Sequence, residues 1–134
     1  DALLAARAAG ADLGYAGSPF IATQEANADP AYKQMIVDGS AEDIITSSLF
    51  TGVSGNYLGP SITRAGMDVD NLPEGNQSAM NFGSGSSKPK AWKEIWGAGQ
   101  GIGAVHELGT TGALVSRIER EYIAAGARIA AEFA

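Results

Sequence analysis

Cysteine is absent from this chain of 134 residues, and histidine occurs once. Without cysteine there can be no disulfide, no thiolate nucleophile and no cysteine-ligated zinc. A single histidine leaves almost nothing from which to build a Ser-His-Asp triad or a histidine-ligated metal site. We therefore expect no metal site and assign no catalytic residue within this sequence.

Long hydrophobic runs and an excess of basic residues are also missing. No run of about 18 apolar residues is present, and no basic segment followed by an apolar run marks a secretory signal. The 15 acidic residues outnumber the 9 basic ones and give a formal net charge of −6, whereas nucleic-acid binding requires clustered Lys and Arg. The 45% hydrophobic content is typical of a folded protein. The sequence predicts at most one cytoplasmic domain, without membrane or nucleic-acid partners.

The first 25 residues follow the pattern of one helix–strand–helix step in a parallel α/β fold. Residues 2–9 are helix formers without a preceding N-cap, and Gly10 is placed to end that helix. A chain that begins inside a helix predicts further sequence upstream. Residues 13–16 form a short apolar run that predicts a buried strand, and Ser18-Pro19 is a helix-entry signal.

The middle of the chain predicts one clear helix and then loses regularity. Asp29 is placed to cap a helix that Gly39 ends. Ile44, Ile45, Leu49 and Phe50 are apolar, and the segment that contains them fits a helix and a strand equally well. Residues 67–90 are the least regular part, and residues 82–89 have the composition of a flexible loop.

The C-terminal part predicts the longest helix. Residues 91–96 read as a short helical piece, followed by a glycine-rich run at residues 97–103. A helix is predicted from Thr110 to the end of the chain, and its apolar residues share one stripe that needs an apolar partner surface. These residues are Leu114, Ile118, Tyr122, Ile129 and Phe133.

Gly17 and Ser18 form the first candidate binding segment. Glycine after a strand allows close approach of a ligand to the backbone, and the free amides of a following helical turn favour an anion. An ordinary strand-to-helix turn without a ligand explains the same residues equally well.

The glycine-rich run is the second candidate. Gly99, Gly101 and Ala104 match the dinucleotide spacing G-x-G-x-x-A, but the preceding residues are helix-like rather than a strand, which disfavours a nucleotide-binding fold. The glycines would let the backbone pass close to a flat ligand or to another helix, and both interpretations stay open. Gln100 is the one side chain of the run that can both donate and accept a hydrogen bond.

The remaining polar residues are given structural interpretations. Three lysines and two tryptophans between residues 88 and 96 fit a solvated helix face with core tryptophans, although a phosphate-facing cluster would have the same composition. His106 is interpreted as a surface or hydrogen-bonded residue. Four acidic residues are interpreted as caps and helix-start charges: Glu25, Asp29, Glu42 and Asp43.

Two segments resemble the nitronate monooxygenase family. Residues 10–12 (G-A-D) and 16–25 (A-G-S-P-F-I-A-T-Q-E) are similar to the final barrel strand and phosphate loop of that family, typically G-A-D and then M-G-T-R-F-x-A-T-x-E. Residues 96–103 (W-G-A-G-Q-G-I-G) are similar to its late W-S-A-G-Q-G-x-G segment, which precedes the C-terminal helix.

The resemblance implies the C-terminal part of an FMN-dependent (β/α)8 barrel, an α/β fold with an inserted mainly helical lobe. Residues 1–25 would be the last βα unit with the phosphate loop, residues 26–90 the lobe and its loop, and residues 91–134 the late glycine motif and closing helix. The residues implied to bind FMN are Ala16, Gly17, Ser18, Gly99 and Gln100.

The resemblance also implies an activity and a partner. It implies oxidation of an alkyl nitronate, a small-molecule substrate, with dioxygen. The partner would be the N-terminal remainder of the same protein, packed against Leu114, Ile118 and Tyr122. The alternatives are a related FMN-dependent quinone or enoyl-thioester reductase and a small non-catalytic α/β binding module.

Overall fold

The computed structural model describes residues 1–74 and 94–134. Within these ranges the chain forms five helices and two strands, in the order α1 (Ala2–Ala8), α2 (Ser18–Ile21), α3 (Pro30–Asp38), β1 (Ile44–Ser47), β2 (Gly55–Leu58), α4 (Gly59–Arg64) and α5 (Thr111–Glu132). Three short 3-10 turns accompany them, at Ala41–Asp43, Val69–Asn71 and Gln100–Ala104.

The helix boundaries lie where the capping residues predict them. Gly10 follows α1 with φ +96°, a left-handed conformation that glycine adopts readily. The Asp29 side chain accepts a hydrogen bond from the Ala31 amide at 2.8 Å and caps α3, which ends before Gly39. The Thr110 side chain caps α5 in the same way. The predictions of these helices are confirmed.

The segment that fitted a helix and a strand equally well contains a strand. β1 pairs antiparallel with β2, with Ile44 opposite Leu58 and Ser47 opposite Gly55. Residues 96–98 extend this hairpin at its β2 edge, because the Leu58 amide donates to the Trp96 carbonyl at 2.8 Å and the Ala98 amide donates to the Asn56 carbonyl at 3.2 Å. The lobe predicted as mainly helical is therefore mixed in its described part.

The core lies between the hairpin, α3 and the glycine-rich run. Trp96 is buried, and its ring stacks on Tyr32 at 4.8 Å between centroids, while the Arg64 guanidinium lies 3.9 Å from its centre. The other buried members are Ala22, Ile36, Leu58, Ala98, Ile102 and Val105. Trp96 is thus a core residue as interpreted, whereas Trp92 lies outside the described residues.

Residues 13–16 do not form the buried strand that the sequence predicts. Leu13 is 91% exposed and Tyr15 is fully exposed. No strand within residues 1–74 and 94–134 runs beside this segment, because both described strands belong to the hairpin. The parallel pairing recorded in those ranges is a single bridge between Thr23 and Gly109. An apolar strand of a parallel sheet needs neighbouring strands on both sides, and the described residues do not supply them.

The apolar stripe of α5 is covered along part of its length. Leu114 and Ile118 are half-buried, and Ala125 is buried. Ile129 and Phe133 remain exposed. The covering elements are α1 and α2, and the salt bridge of Arg128 with Asp1 at 2.9 Å holds α1 against α5.

Three sequence predictions lie partly or wholly outside the described residues. These are the loop at 82–89, most of the helical piece at 91–96 and the solvated face carrying Lys88, Lys90 and Lys93. None of the helices in residues 1–74 and 94–134 combines the length and apolar character that a membrane span needs.

Candidate anion and cofactor site

The turn at Gly17 and Ser18 leaves hydrogen-bond donors free. Gly17 precedes the first turn of α2, and its carbonyl accepts from the Phe20 amide at 3.0 Å. Among the described residues, no acceptor is recorded for the Gly17 and Ser18 amides, which come before the first intrahelical bond. Pro19 has no N–H and fits the first helical turn. Two neighbouring amides are therefore available to a ligand.

The glycine-rich run forms a second turn. Gly99 precedes the 3-10 turn Gln100–Ala104, and its carbonyl accepts from the Ile102 amide at 3.2 Å. Ile102 is fully buried and anchors this turn in the core, whereas the Gln100 side chain is exposed. The turn presents one amide-bearing side chain from a fixed backbone.

A hydrogen bond brings the two turns together. The Gly99 amide donates to Ser18 Oγ at 2.9 Å across 81 positions of sequence. Gly17 and Gln100 flank the bonded pair along the chain and are exposed, as is Ala16. The structure therefore places the two sequence-predicted segments at one site through Ser18 and Gly99.

Packing does not explain two of the glycines in these turns. Among the described residues, a Cβ added at Gly17 or at Gly101 would meet no atom within 4 Å, so protein packing does not require glycine there. A Cβ at Gly97 would lie 3.3 Å from the Asn56 carbonyl, a tight contact with β2. Close packing thus explains Gly97, and its partner is a strand rather than a helix.

The geometry also argues against the dinucleotide-binding interpretation. The glycine run forms an isolated antiparallel bridge to β2 at Gly97 and then opens a 3-10 turn. A dinucleotide-binding loop instead joins a parallel strand to the N-terminus of an α-helix. The G-x-G-x-x-A spacing at Gly99, Gly101 and Ala104 is therefore coincidental in this structure.

Two residues that were not predicted as part of the site fix its backbone. The Tyr32 hydroxyl donates to the Gly97 carbonyl, and burial raises the pKa of Tyr32 above its ordinary value. Ser61 is fully buried, donates to the Leu58 carbonyl at 2.7 Å and accepts from the Trp96 amide at 3.0 Å. Tyr32 lies in the helix that the sequence predicts between Asp29 and Gly39, where it fits the helical spacing of apolar residues, and no sequence pattern indicates Ser61.

The acidic residues serve mainly as caps. The Asp43 carboxylate accepts from the Ser40 amide at 2.7 Å, and Asp29 caps α3. Glu25 accepts from the Thr111 amide at 3.1 Å and 2.9 Å and so caps α5. His106 is exposed, as expected of a surface residue.

Fold and geometry define this chain as a mixed α/β segment in which two distant turns meet through one hydrogen bond. No protein-family model matches the chain, and no curated protein matches it. A solved structure is similar to it, that of the FabK (M276A) mutant from Thermotoga maritima. The likeness has a TM-score of 0.69 at 21% sequence identity and covers 96% of this chain and 40% of the FabK chain. The chain thus shares its fold with less than half of FabK.

Proposed function

We propose that this chain is the C-terminal part of an FMN-dependent barrel oxidoreductase and that it holds the phosphate of FMN. The observation that carries the proposal is the hydrogen bond from the Gly99 amide to Ser18 Oγ at 2.9 Å. It joins the two segments that resemble the phosphate loop and the late glycine motif of one family. Such a contact is expected if both segments line one cofactor site.

The residues present fit a phosphate group. A phosphate accepts hydrogen bonds from N–H and O–H donors, and the Gly17 and Ser18 amides are such donors without a described acceptor. The open space at the Gly17 Cβ position lets an anion approach the backbone closely. Pro19 stands where the resembling family has arginine, so main-chain donors and the Ser18 hydroxyl carry the binding in this chain.

Each residue has a limited role in this proposal. Bound FMN would supply the redox chemistry, which is the transfer of an electron or hydride equivalent from the substrate. Gly17 and Ser18 bind the phosphate, while Gly99 and Gln100 close one side of the site and orient the cofactor. The catalytic base and the strands around the ring system are proposed to lie in the N-terminal remainder of the protein.

The proposed reaction is oxidation of an alkyl nitronate with dioxygen. Its support is the resemblance of residues 16–25 and 96–103 to the nitronate monooxygenase family. The likeness to FabK supports the fold, because a segment of a larger barrel would cover only part of such a chain. The resemblance also leaves the related enoyl-thioester reductases open, so this alternative is tested beside nitronate oxidation.

Flavin binding is the first test. The intact protein should purify yellow, with the absorption spectrum of a flavin that heat or acid releases as FMN. Gly17→Val should lower FMN affinity about ten-fold or more, because a side chain at this open position blocks close approach to the amides and removes about one charge-assisted hydrogen bond.

A matched control separates binding from folding. Gly112→Val adds the same side chain at a position that is equally open among the described residues and lies in α5. It should leave FMN occupancy unchanged. A folded, colourless intact protein would contradict the proposal and favour the non-catalytic binding module.

The substrate is tested on the flavin-loaded protein. Dioxygen consumption with an alkyl nitronate is the expected activity. Reduction of a quinone or of an enoyl thioester without nitronate oxidation would assign the chain to the related reductases instead.

A further inference from the structure

One nitrogen of the Arg117 guanidinium is buried without a hydrogen-bond partner among the described residues. Nη2 donates to the Ala104 carbonyl at 3.2 Å, whereas no hydrogen bond is recorded for the buried Nε. Nε lies 3.7 Å from Glu121 Oε1, and N–H groups donate to oxygen at about 2.7–3.2 Å. Because buried polar groups are almost always hydrogen-bonded, this donor calls for an acceptor that is not one of these side chains.

A small cavity lies beside Arg117. It has a volume of about 30 Å³ and lies between Pro19 of α2, the start of α5 and residues 105–109. An ordered water needs about 10–15 Å³ of such space and two to four polar partners. The cavity therefore has room for a water and none for an organic ligand. The polar residues that line it are Thr23, Glu107, Thr110 and Arg117.

Two of these side chains have hydrogen-bonding capacity to spare. The Thr110 hydroxyl accepts from the Ala113 amide at 3.1 Å, and among the described residues no acceptor of its proton is recorded. The Glu107 carboxylate is exposed, and no described residue is recorded as donating to it. A water that accepts from Arg117 Nε needs acceptors for its own protons, and a carboxylate supplies them.

The charges around the cavity favour a neutral occupant over an ion. Glu107 lines the cavity, and Glu121 lies 3.7 Å from Nε, so the single guanidinium faces two carboxylates. A chloride ion would be repelled by both acids, and a cation would be repelled by Arg117. Water alone satisfies the orphaned donor without adding charge.

We propose that this cavity is a binding site for one ordered water molecule, which accepts a hydrogen bond from Arg117 Nε and donates to Glu107. The water links α5 to the segment 105–109, next to the direct bond of Arg117 with the Ala104 carbonyl. It is part of the folded structure and does not depend on FMN. Arg117 thus joins α5 to the end of the glycine-rich turn in two ways.

A crystal structure of the intact protein at a resolution that shows ordered waters tests this site. We expect a density peak at hydrogen-bond distance from Arg117 Nε, without anomalous scattering after a bromide soak. A bromide signal would identify a small-anion site and overturn the proposal. The proposal also falls if the peak is missing, or if another part of the intact protein supplies the acceptor to Nε.

Arg117→Lys tests the hydrogen bond separately from the charge. Lysine keeps the positive charge but has carbon where arginine has Nε, so the density peak should be lost. Oxygen-17 relaxation dispersion should then count one long-lived water fewer than in the parent. Arg120→Lys is the matched control, at an exposed position of the same helix, and should leave this count unchanged. A peak that persists in Arg117→Lys, or the same loss in Arg120→Lys, would show that Nε does not hold the water.

Discussion

Glu25 joins two parts of the chain that are distant in sequence. Both of its carboxylate oxygens accept from the Thr111 amide, at 3.1 Å and 2.9 Å. This backbone hydrogen bond is the main reason why the pKa of Glu25 lies below its ordinary value. Because the first amides of a helix lack intrahelical partners and carry partial positive charge, the ionised carboxylate stabilises the start of α5.

The stability that Glu25 contributes should depend on pH. A carboxyl group whose pKa is lowered by folding stabilises the folded state above its unfolded pKa, and this contribution is lost as the pH falls through the folded-state pKa. Glu25→Gln should therefore destabilise the intact protein at neutral pH and match its parent at an acidic pH below the lowered folded-state pKa of Glu25. Denaturant unfolding at both pH values measures the difference.

Glu42→Gln is the matched control for this prediction. It removes the same charge at an exposed side chain for which no hydrogen bond to a described residue is recorded. It should produce no comparable pH-dependent difference. A destabilisation by Glu25→Gln that persists unchanged in acid would contradict the capping role.

Caps could be predicted from the sequence only where both partners are close along the chain. Asp29 and the amide that it caps are two residues apart, and Asp43 and the Ser40 amide are three apart. Glu25 bonds an amide 86 positions away, and a local pattern cannot identify such a partner. The Ser18–Gly99 bond has the same character. The sequence therefore marked both halves of the site but not the atoms that join them.

At the level of elements, the pairing of residues 96–98 with β2 depends on Ser61. This residue lies in α4, immediately after β2, and its hydroxyl accepts a hydrogen bond from the Trp96 amide. The same hydroxyl donates to the Leu58 carbonyl. One buried side chain thus joins the hairpin, α4 and the segment that leads to the glycine-rich turn.

Ser61→Ala should destabilise the intact protein by about 1–3 kcal/mol, because it removes the hydroxyl that accepts from the buried Trp96 amide. Chemical unfolding measures the loss, and faster hydrogen exchange at the Trp96 amide locates it. Ser54→Ala removes a hydroxyl from an exposed position and should change stability by less than about 0.5 kcal/mol. Equal effects of the two substitutions would remove Ser61 from this role.

Elements with local end signals were predictable, and elements defined by pairing were not. α3 and α5 carry their caps in sequence and were predicted at nearly their observed bounds. β2 is only four residues long, and glycine and proline lie close to it in the sequence, so no local pattern indicates a strand there. It is a strand because it pairs with β1. The apolar run at 13–16 shows the converse: its composition predicts a strand, but no neighbouring strand exists among the described residues.

At the scale of the whole molecule, exposed apolar side chains concentrate on two surfaces. One is the segment after α1, where Leu13 is 91% exposed and Tyr15 fully exposed. The other lies along α5, where Ile123 is 63% and Phe133 86% exposed. Burial of such side chains normally contributes about 1.5–3 kcal/mol each. We propose that neighbouring barrel strands from the N-terminal remainder of the protein cover the first surface.

This proposal predicts how the intact protein responds to charges on that surface. If Leu13 lies between barrel strands, Leu13→Asp should destabilise the protein by more than about 3 kcal/mol, because it removes an apolar contact and buries an unpaired carboxylate. Val53→Asp is the control, at a half-exposed apolar position in the hairpin connection. It should cost less than about 1 kcal/mol. Thermal unfolding and the soluble yield of both variants measure the difference. If Leu13→Asp is tolerated as well as Val53→Asp, this segment faces water in the intact protein and is not a barrel strand.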